Sequence, residues 1–105
     1  MTQFSVYRNP SRTNTKAYPL LVDIQHSILD ELTTRLVIPL GKLENFRGEN
    51  LKTLSPIVEF EGQKLVLLTA QLASVPERLL QKPVGSLEHF RDEIVTALDF
   101  AVTGY

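Results

Sequence analysis

Two histidines, His26 and His89, are the side chains of this sequence best suited to general acid–base catalysis near neutral pH. His26 falls beside a predicted strand end, and His89 falls near the start of a predicted helix, on its outer face. Neither has a second His or a Cys at a spacing typical of metal ligands. We therefore interpret both as surface residues, and the sequence predicts no catalytic base and no metal site.

The carboxylates give no clearer catalytic pair. Asp30–Glu31 and Asp92–Glu93 are adjacent acids of the kind that occur on ordinary surfaces. Asp23 differs, because it interrupts the apolar run LLVDIQ (residues 20–25). We expect Asp23 on the open face of a sheet rather than in the role of a catalytic acid. No glycine-rich phosphate loop is present, so we predict a protein that is not an enzyme and uses no cofactor.

The composition is that of a small globular domain. The 105 residues carry a net charge of −1, are 43% apolar and include no Cys, which leaves no disulfide or thiol chemistry. No basic stripe is visible, so direct nucleic-acid binding is not expected. No signal peptide or membrane-length apolar run is visible either. We predict a single domain (residues 1–105) that is soluble and cytoplasmic, with no membrane partner.

Several short runs rich in β-forming residues predict strands. The first places Phe4 and Val6 on its one buried side. Pro39 cannot donate to a ladder and is expected at a sheet edge or a strand end. Residues 26–33 predict a connection or short helical turn that Ser27 could cap. The predicted strands are residues 3–8, 18–25, 34–40, 54–60 and 63–69, the last two forming a hairpin around Glu61–Gly62, with loops at 9–17 and 41–53.

The C-terminal segment predicts a helix that Ser86 caps and Gly104 ends. One stripe at helical spacing is expected to face the core: Leu87, Phe90, Ile94, Ala97, Leu98 and Ala101. Phe100 lies outside that stripe, and Val95 and Val102 lie on its flank. The last two turns are therefore apolar nearly all round, which is typical of a helix that packs against something else on its outer side.

These elements predict a mainly β (α+β) fold, with five or six antiparallel strands forming a small, partly open barrel against one C-terminal helix. The remaining apolar side chains outside the core pattern are Phe100, Val102 and Tyr105, together with Ile28 and Leu29 in the connection. Aromatic and aliphatic residues at an exposed site are typical anchors of protein interfaces. The alternative, that they fold back into their own core, stays open from the sequence alone.

The chain resembles the CcdB toxins of toxin–antitoxin modules. The resemblance rests on QFSVY (3–7), LLVDIQHSILDELTTRLVIPL (20–40), ASVP (73–76) and SLEHFRDEIVTALDFAVTGY (86–105). It implies an SH3-like barrel with a C-terminal helix, as in the structurally related Kid and MazF toxins, and a homodimer that is not an enzyme. It further implies that the protein binds the A subunit of DNA gyrase, traps the gyrase–cleaved DNA complex, and is neutralised by a CcdA-like antitoxin.

The resemblance also implies site residues. The gyrase-binding positions fall on Ile28, Leu29, Asp30, Asp99, Val102, Thr103, Gly104 and Tyr105. Thr103 stands where the family has an aromatic residue, and Tyr105 where it has an aliphatic one. The antitoxin-binding positions fall on Arg12 and Lys16, and the dimer interface on Phe100 and Ala101. Two alternatives stay open: a ribonuclease toxin on the same fold, and a non-toxic protein-interaction module.

Overall fold

A computed structural model describes residues 2–11, 13, 16–46 and 54–104. Within these ranges seven strands form one antiparallel sheet, in the order β4-β5-β3-β2-β1-β7, and β6 pairs with β3 beside this path. The strands are β1 (Ser5–Arg8), β2 (Leu20–Asp23), β3 (Thr34–Lys42), β4 (Ile57–Phe60), β5 (Gln63–Leu67), β6 (Ala73–Pro76) and β7 (Gly85–Ser86), and the helix is α1 (Arg91–Thr103).

The sheet curls along the long strand β3, because β3 pairs with different strands in its first and last parts. Its first half pairs with β6, from Thr34 to Val37, and its last three residues pair with β5. Pro39 lies at this change of partner, opposite Leu21 of β2, so the prediction of an edge or strand-end position is wrong. The Pro39 carbonyl accepts from Leu68 N at 3.0 Å. The Pro39 nitrogen faces the same side as its carbonyl, away from β2, so the pairing of β3 with β2 loses no hydrogen bond.

One face of the sheet packs against α1. Val6, Val22, Ile38 and Leu40 of the sheet are buried together with other residues of the larger core, among them Leu87, Ile94 and Ala97 from the helical segment. Phe90 and Leu98 are partly buried against the same core, so the predicted apolar stripe is confirmed over most of its length. Ala101 is an exception, because it is exposed. The core contact therefore ends one turn before α1 does.

The other face of the sheet is also covered. Tyr7, Leu21, Val37 and Leu80 form a second, smaller buried cluster. The prediction that β1 has only one buried side is therefore wrong, because Tyr7 packs on the far side from α1. Leu80, which follows a short 3-10 turn (Glu77–Leu79), contributes the cover. A strand buried on both faces cannot keep a polar side chain in water at its inner positions.

The chain reversals follow the sequence closely. Glu61 and Gly62, with φ of 51° and 77°, form the two-residue turn of the predicted β4–β5 hairpin. The Ser86 Oγ accepts from Glu88 N at 3.1 Å, just before the 3-10 turn (Glu88–Phe90) that leads into α1. The N-cap of α1 is Phe90, so the prediction that Ser86 caps this helix is wrong, because the 3-10 turn lies between them. Gly104 ends α1 with a φ of 82°. The curled antiparallel sheet with one C-terminal helix confirms the predicted α+β, SH3-like fold.

Candidate protein-interaction site

The connection between β2 and β3, named here the β2–β3 turn (residues 26–32), holds the first group of predicted site residues. Its centre is a 3-10 turn (Ser27–Leu29). His26 caps this turn, since its Nδ1 accepts from Ile28 N at 3.0 Å, and Ser27 is therefore not the cap that the sequence predicts. Backbone N–H groups of Leu29 and Asp30 donate to the His26 and Ser27 carbonyls, each at 3.0 Å. The turn is thus ordered by its own short hydrogen bonds.

The β2–β3 turn presents apolar side chains to solvent. Ile28 is 79% exposed, and Leu29 and Leu32 are also exposed. No residue of the 3-10 turn is buried, so none of its side chains anchors it in the core. Leu32 was not anticipated as part of this surface, although it falls four residues after Ile28. An apolar group held in water on an ordered turn is typical of a contact surface for another protein.

Beneath the turn lies a buried ion pair between Asp23 and Arg35. Arg35 Nε donates to Asp23 Oδ2 at 2.8 Å, and Arg35 Nη2 lies 2.7 Å from the same oxygen. Both side chains are almost fully buried, so the expectation that Asp23 lies on an open face is wrong. The cause is the second buried face: Asp23 lies opposite Val37 of β3, which makes Arg35 its diagonal neighbour on that face.

The same guanidinium reaches the surface of the turn. Arg35 Nη1 donates to Asp30 Oδ1 at 2.8 Å, and the Asp30 side chain is 43% exposed. Gln25 makes a second link, because its Nε2 donates to Leu29 O at 2.9 Å and its Oε1 accepts from Leu36 N at 3.0 Å. The buried side chains of Gln25, two residues after β2, and of Arg35 in β3 are therefore bonded directly to residues of the exposed turn.

Burial shifts the proton affinities around this pair. Burial raises the pKa of Asp23, against the opposing effects of the Gln25 N–H and of Arg35. Burial would lower the pKa of Arg35, but its hydrogen bonds to Asp30 and Asp23 outweigh burial and the pKa is raised. Burial also raises the pKa of Tyr7, and the Asp23 charge adds to that rise. Arg35 is therefore firmly cationic, and it is the fixed charge of this region.

The second group of predicted site residues lies at the end of α1. Val102 is 77% exposed, and Asp99, Thr103 and Gly104 are exposed beside it. The Thr103 hydroxyl donates to Asp99 O at 2.6 Å, and Gly104 N donates to Phe100 O at 2.9 Å. The final helical turn is thus closed by hydrogen bonds while its apolar side chain stays in water. Tyr105 lies outside the described residues.

The two groups border opposite ends of the helix within one chain. Ser27 and Asp30 line a shallow pocket together with Glu88 and Arg91, at the start of α1. Thr103 comes twelve residues after Arg91, which is about 18 Å further along a helix axis. The structure therefore brings Ile28, Leu29 and Asp30 together, and Asp99, Val102, Thr103 and Gly104 together, as two separate patches.

The other predicted positions are less informative. Phe100 and Ala101, predicted at a dimer interface, are both exposed on α1. Lys16 is exposed in the connection between β1 and β2, whereas Arg12 lies outside the described residues. His89 stacks at a tilt on Phe90, with ring centroids 4.5 Å apart. Across the described ranges no group of three or more His, Cys, Asp or Glu side chains could hold a metal ion.

Sequence reasoning missed Arg35 and Gln25 as site residues. A signal was present, because Asp23, Gln25 and Arg35 are the polar interruptions of two consecutive apolar strands, and two of them carry opposite charges. Antiparallel pairing of those strands predicts that such residues meet. The helices in the described part of the chain include none long and apolar enough to span a membrane.

A curled antiparallel sheet closed by one C-terminal helix, with apolar patches on a turn and on the helix end, defines an SH3-like barrel protein with surfaces suited to a protein partner. A family model described as CcdB protein matches residues 3–104, which is nearly the whole chain. The chain therefore belongs to the CcdB family, and it is a toxin of a toxin–antitoxin module. The resemblance noted in the sequence is confirmed.

Proposed function

We propose that this toxin binds the A subunit of DNA gyrase and stabilises the complex of gyrase with cleaved DNA. The observation that carries the proposal is the exposure of Ile28 and Val102, each more than three-quarters in solvent on an ordered element. Burying such side chains against a partner contributes roughly 1.5–3 kcal/mol each. Membership of the CcdB family, whose usual role is to poison DNA gyrase, supports this choice of partner.

The proposed mechanism needs no covalent chemistry. A ligand that binds one conformational state of its target more tightly than the others shifts the target toward that state. The toxin would bind the DNA-cleaved state of gyrase and so hold the break open. Its own residues would supply contact surface only, without a catalytic base, a metal or a cofactor, and without direct contact to DNA. The toxin would act in the cytoplasm, where its target is found.

Charges beside the two patches favour a cationic partner surface. Asp30 lies close to Ile28 in the β2–β3 turn. Asp99 lies close to Val102, and the Asp99 side chain is exposed. The Thr103 hydroxyl donates to the Asp99 backbone carbonyl and not to its carboxylate. Carboxylates at the rim of an apolar patch favour Arg or Lys of the partner and increase the rate of encounter. Position 103 is a threonine and offers no aromatic ring to the partner. The affinity for gyrase would therefore come from these apolar and acidic contacts.

A homodimer would present these patches in pairs. Phe100 and Ala101 are consecutive exposed residues on α1. Contact between these faces of two copies would be isologous, with each copy contributing the same surface. The resulting two-fold axis matches a symmetric dimer of gyrase A subunits. A CcdA-like antitoxin with an acidic segment would oppose the toxin, with Lys16 and Arg12 as its cationic contacts.

The test is gyrase-mediated cleavage of supercoiled DNA with the purified protein. We expect cleaved complex with the wild type, and at least about tenfold less with Ile28→Ser or after removal of residues 103–105. Ile57→Ser is the matched control, because Ile57 is also an exposed isoleucine but lies on the edge strand β4. Full cleavage by either altered protein would overturn the assigned site. Cleavage of RNA by the wild type, without effect on gyrase, would favour the ribonuclease alternative instead.

A further inference from the structure

We propose that the buried residues Arg35 and Gln25 position the β2–β3 turn for partner binding, although neither can touch a partner. Each is at most 2% exposed, and each is bonded to a residue of the exposed turn. The proposal rests on the proposed function for the identity of the partner, the gyrase A subunit. Its structural half, that these two side chains fix the turn, stands on the contacts alone.

Arg35 joins the core to the surface. Two of its nitrogens lie within 2.8 Å of the fully buried Asp23 carboxylate, and a third donates to Asp30 at the end of the 3-10 turn. A guanidinium is planar and rigid, so fixing one edge on Asp23 fixes the direction in which the other edge points. The position of Asp30 is therefore set from inside the sheet.

Gln25 acts on the middle of the same turn. Its side-chain amide uses both of its ends, donating to Leu29 O at 2.9 Å and accepting from Leu36 N at 3.0 Å. Its own backbone N–H donates to Asp23 Oδ1 at 2.9 Å. Gln25 thus ties the carbonyl of an exposed leucine to β3 and to the carboxylate that holds Arg35.

Among the residues that the structure describes, the turn has no other anchor of comparable depth, so its direction depends on these bonds. None of the three residues of its 3-10 turn is buried, and its remaining hydrogen bonds to described residues are local ones within residues 26–32. Local bonds hold the shape of the turn but not its direction relative to the sheet. Directional bonds from two buried side chains supply that direction, and preorganisation of this kind lowers the entropic cost of binding.

The first measurement is made on the free protein. We expect Gln25→Met to lower the ¹⁵N order parameters of residues 27–30 from values typical of rigid backbone, about 0.85, to below about 0.6, with β4 and β5 unchanged. Val58→Ala is the control, because it removes buried contacts in β4 far from the turn. Unchanged order parameters in the turn of Gln25→Met would overturn the proposal.

The second measurement uses a double-mutant cycle with the isolated gyrase A subunit. We expect Gln25→Met to weaken binding about tenfold in the wild type but less than about twofold when Ile28→Ala is already present. A purely structural role would lower binding equally in both backgrounds, and that outcome would overturn the proposal. Should Gln25→Met fail to fold, Asp30→Ala removes the acceptor at the surface end of the Arg35 link without replacing a buried residue, and the same loosening of the turn is expected.

The two measurements separate the two claims. Wild-type protein that does not bind gyrase would overturn the proposed function, whereas the order parameters would still decide whether Arg35 and Gln25 hold the turn. Arg35→Lys gives a further check, because lysine keeps the charge but cannot bond both carboxylates along a rigid plane. We expect the turn to loosen in Arg35→Lys as it does in Gln25→Met, and a turn as rigid as that of the wild type would contradict the role of Arg35.

Discussion

Arg35 Nε donates to Asp23 Oδ2 over 2.8 Å, and the two side chains lie where almost no solvent reaches them. An ion pair in such a place costs desolvation energy that its own attraction does not always repay. An apolar pair of similar volume would serve the core as well or better. The presence of the ion pair is explained if it has a role that apolar residues cannot fill. The hydrogen bond from Arg35 to the exposed Asp30 is such a role, because no apolar side chain could make it.

Breaking this pair from one side is expected to be costly. Arg35→Met leaves the Asp23 carboxylate buried without its cation, and we expect the free energy of unfolding to fall by about 3–5 kcal/mol. The double variant Asp23→Leu/Arg35→Met removes both charges and should recover at least half of that loss. Urea unfolding at pH 7 measures both. A double variant less stable than Arg35→Met would show that the pair itself stabilises the fold.

The stability should depend on pH through Asp23. Burial raises the pKa of Asp23 above its ordinary value of 3.8, so the native protein holds this proton more tightly than the unfolded chain. The resulting stabilisation is fully present below pH 3.8 and is lost as the pH rises through the native pKa, by about 1.4 kcal/mol per tenfold difference in proton affinity. Subtracting the unfolding free energy of Asp23→Asn from that of the wild type at each pH isolates this group. A difference that grows with pH would mean that Arg35 dominates over burial.

The sequence predicts the strands, turns and helix better than it predicts which faces of the strands are buried and which strands are paired. The hairpin turn, the helix stripe and the C-terminal end of the helix follow from local patterns, and the structure confirms them at Glu61–Gly62, Ile94 and Gly104. The errors at Asp23, Tyr7 and Pro39 share one cause. Whether a strand is covered on one face or two, and where its neighbour changes, depends on pairings between distant segments, and no local period records those pairings.

The candidate site shows the same division. Exposure of Ile28 and Val102 could be anticipated, because each apolar residue falls outside a core pattern. The buried supports Arg35 and Gln25 could not be assigned from residue type, since a polar residue in a strand is more commonly on an open face. Their role becomes visible only when the register places Asp23 opposite Val37.

Gly85 is expected to tolerate no side chain. A Cβ built there would lie 2.5 Å from two ring atoms of Phe60, which is itself buried. Gly85→Ala should therefore lower the free energy of unfolding by about 1–3 kcal/mol, as overpacked sites do. In Phe60→Leu/Gly85→Ala the smaller leucine leaves room for the added methyl group. Adding Gly85→Ala should therefore lower the free energy of unfolding less in the Phe60→Leu protein than it does in the wild type. Thermal unfolding of the four proteins measures this, and strictly additive losses would argue against the contact.

Gly104 is expected to matter through its backbone alone. Its φ of 82° favours glycine, and apart from its chain neighbours no described residue lies within 4 Å of a Cβ placed there. Gly104→Ala should cost about 1 kcal/mol of stability or redirect the last residue, whereas Gly104→Asn, which adopts this conformation more readily, should cost less. Under the proposed function, Gly104→Ala should also reduce gyrase-mediated DNA cleavage more than Gly104→Asn does. Equal behaviour of the two variants in both assays would contradict a role for the left-handed conformation.

Phe100 provides the test of the proposed dimer. Its side chain is 38% exposed on a chain taken alone, next along α1 to the exposed Ala101. Because Phe100 is not part of either buried cluster, Phe100→Glu should leave the sheet and the first turns of α1 folded. A charge there would have to be buried at the two-fold axis, facing its own copy, so we expect sedimentation to show a dimer for the wild type and a monomer for the variant. Ile57→Glu, which places the same charge on the edge strand β4, is the matched control and should remain dimeric. A Phe100→Glu protein that sediments as a dimer would move the subunit contact away from this face of α1, and the paired presentation of Val102 to gyrase would then need another geometry.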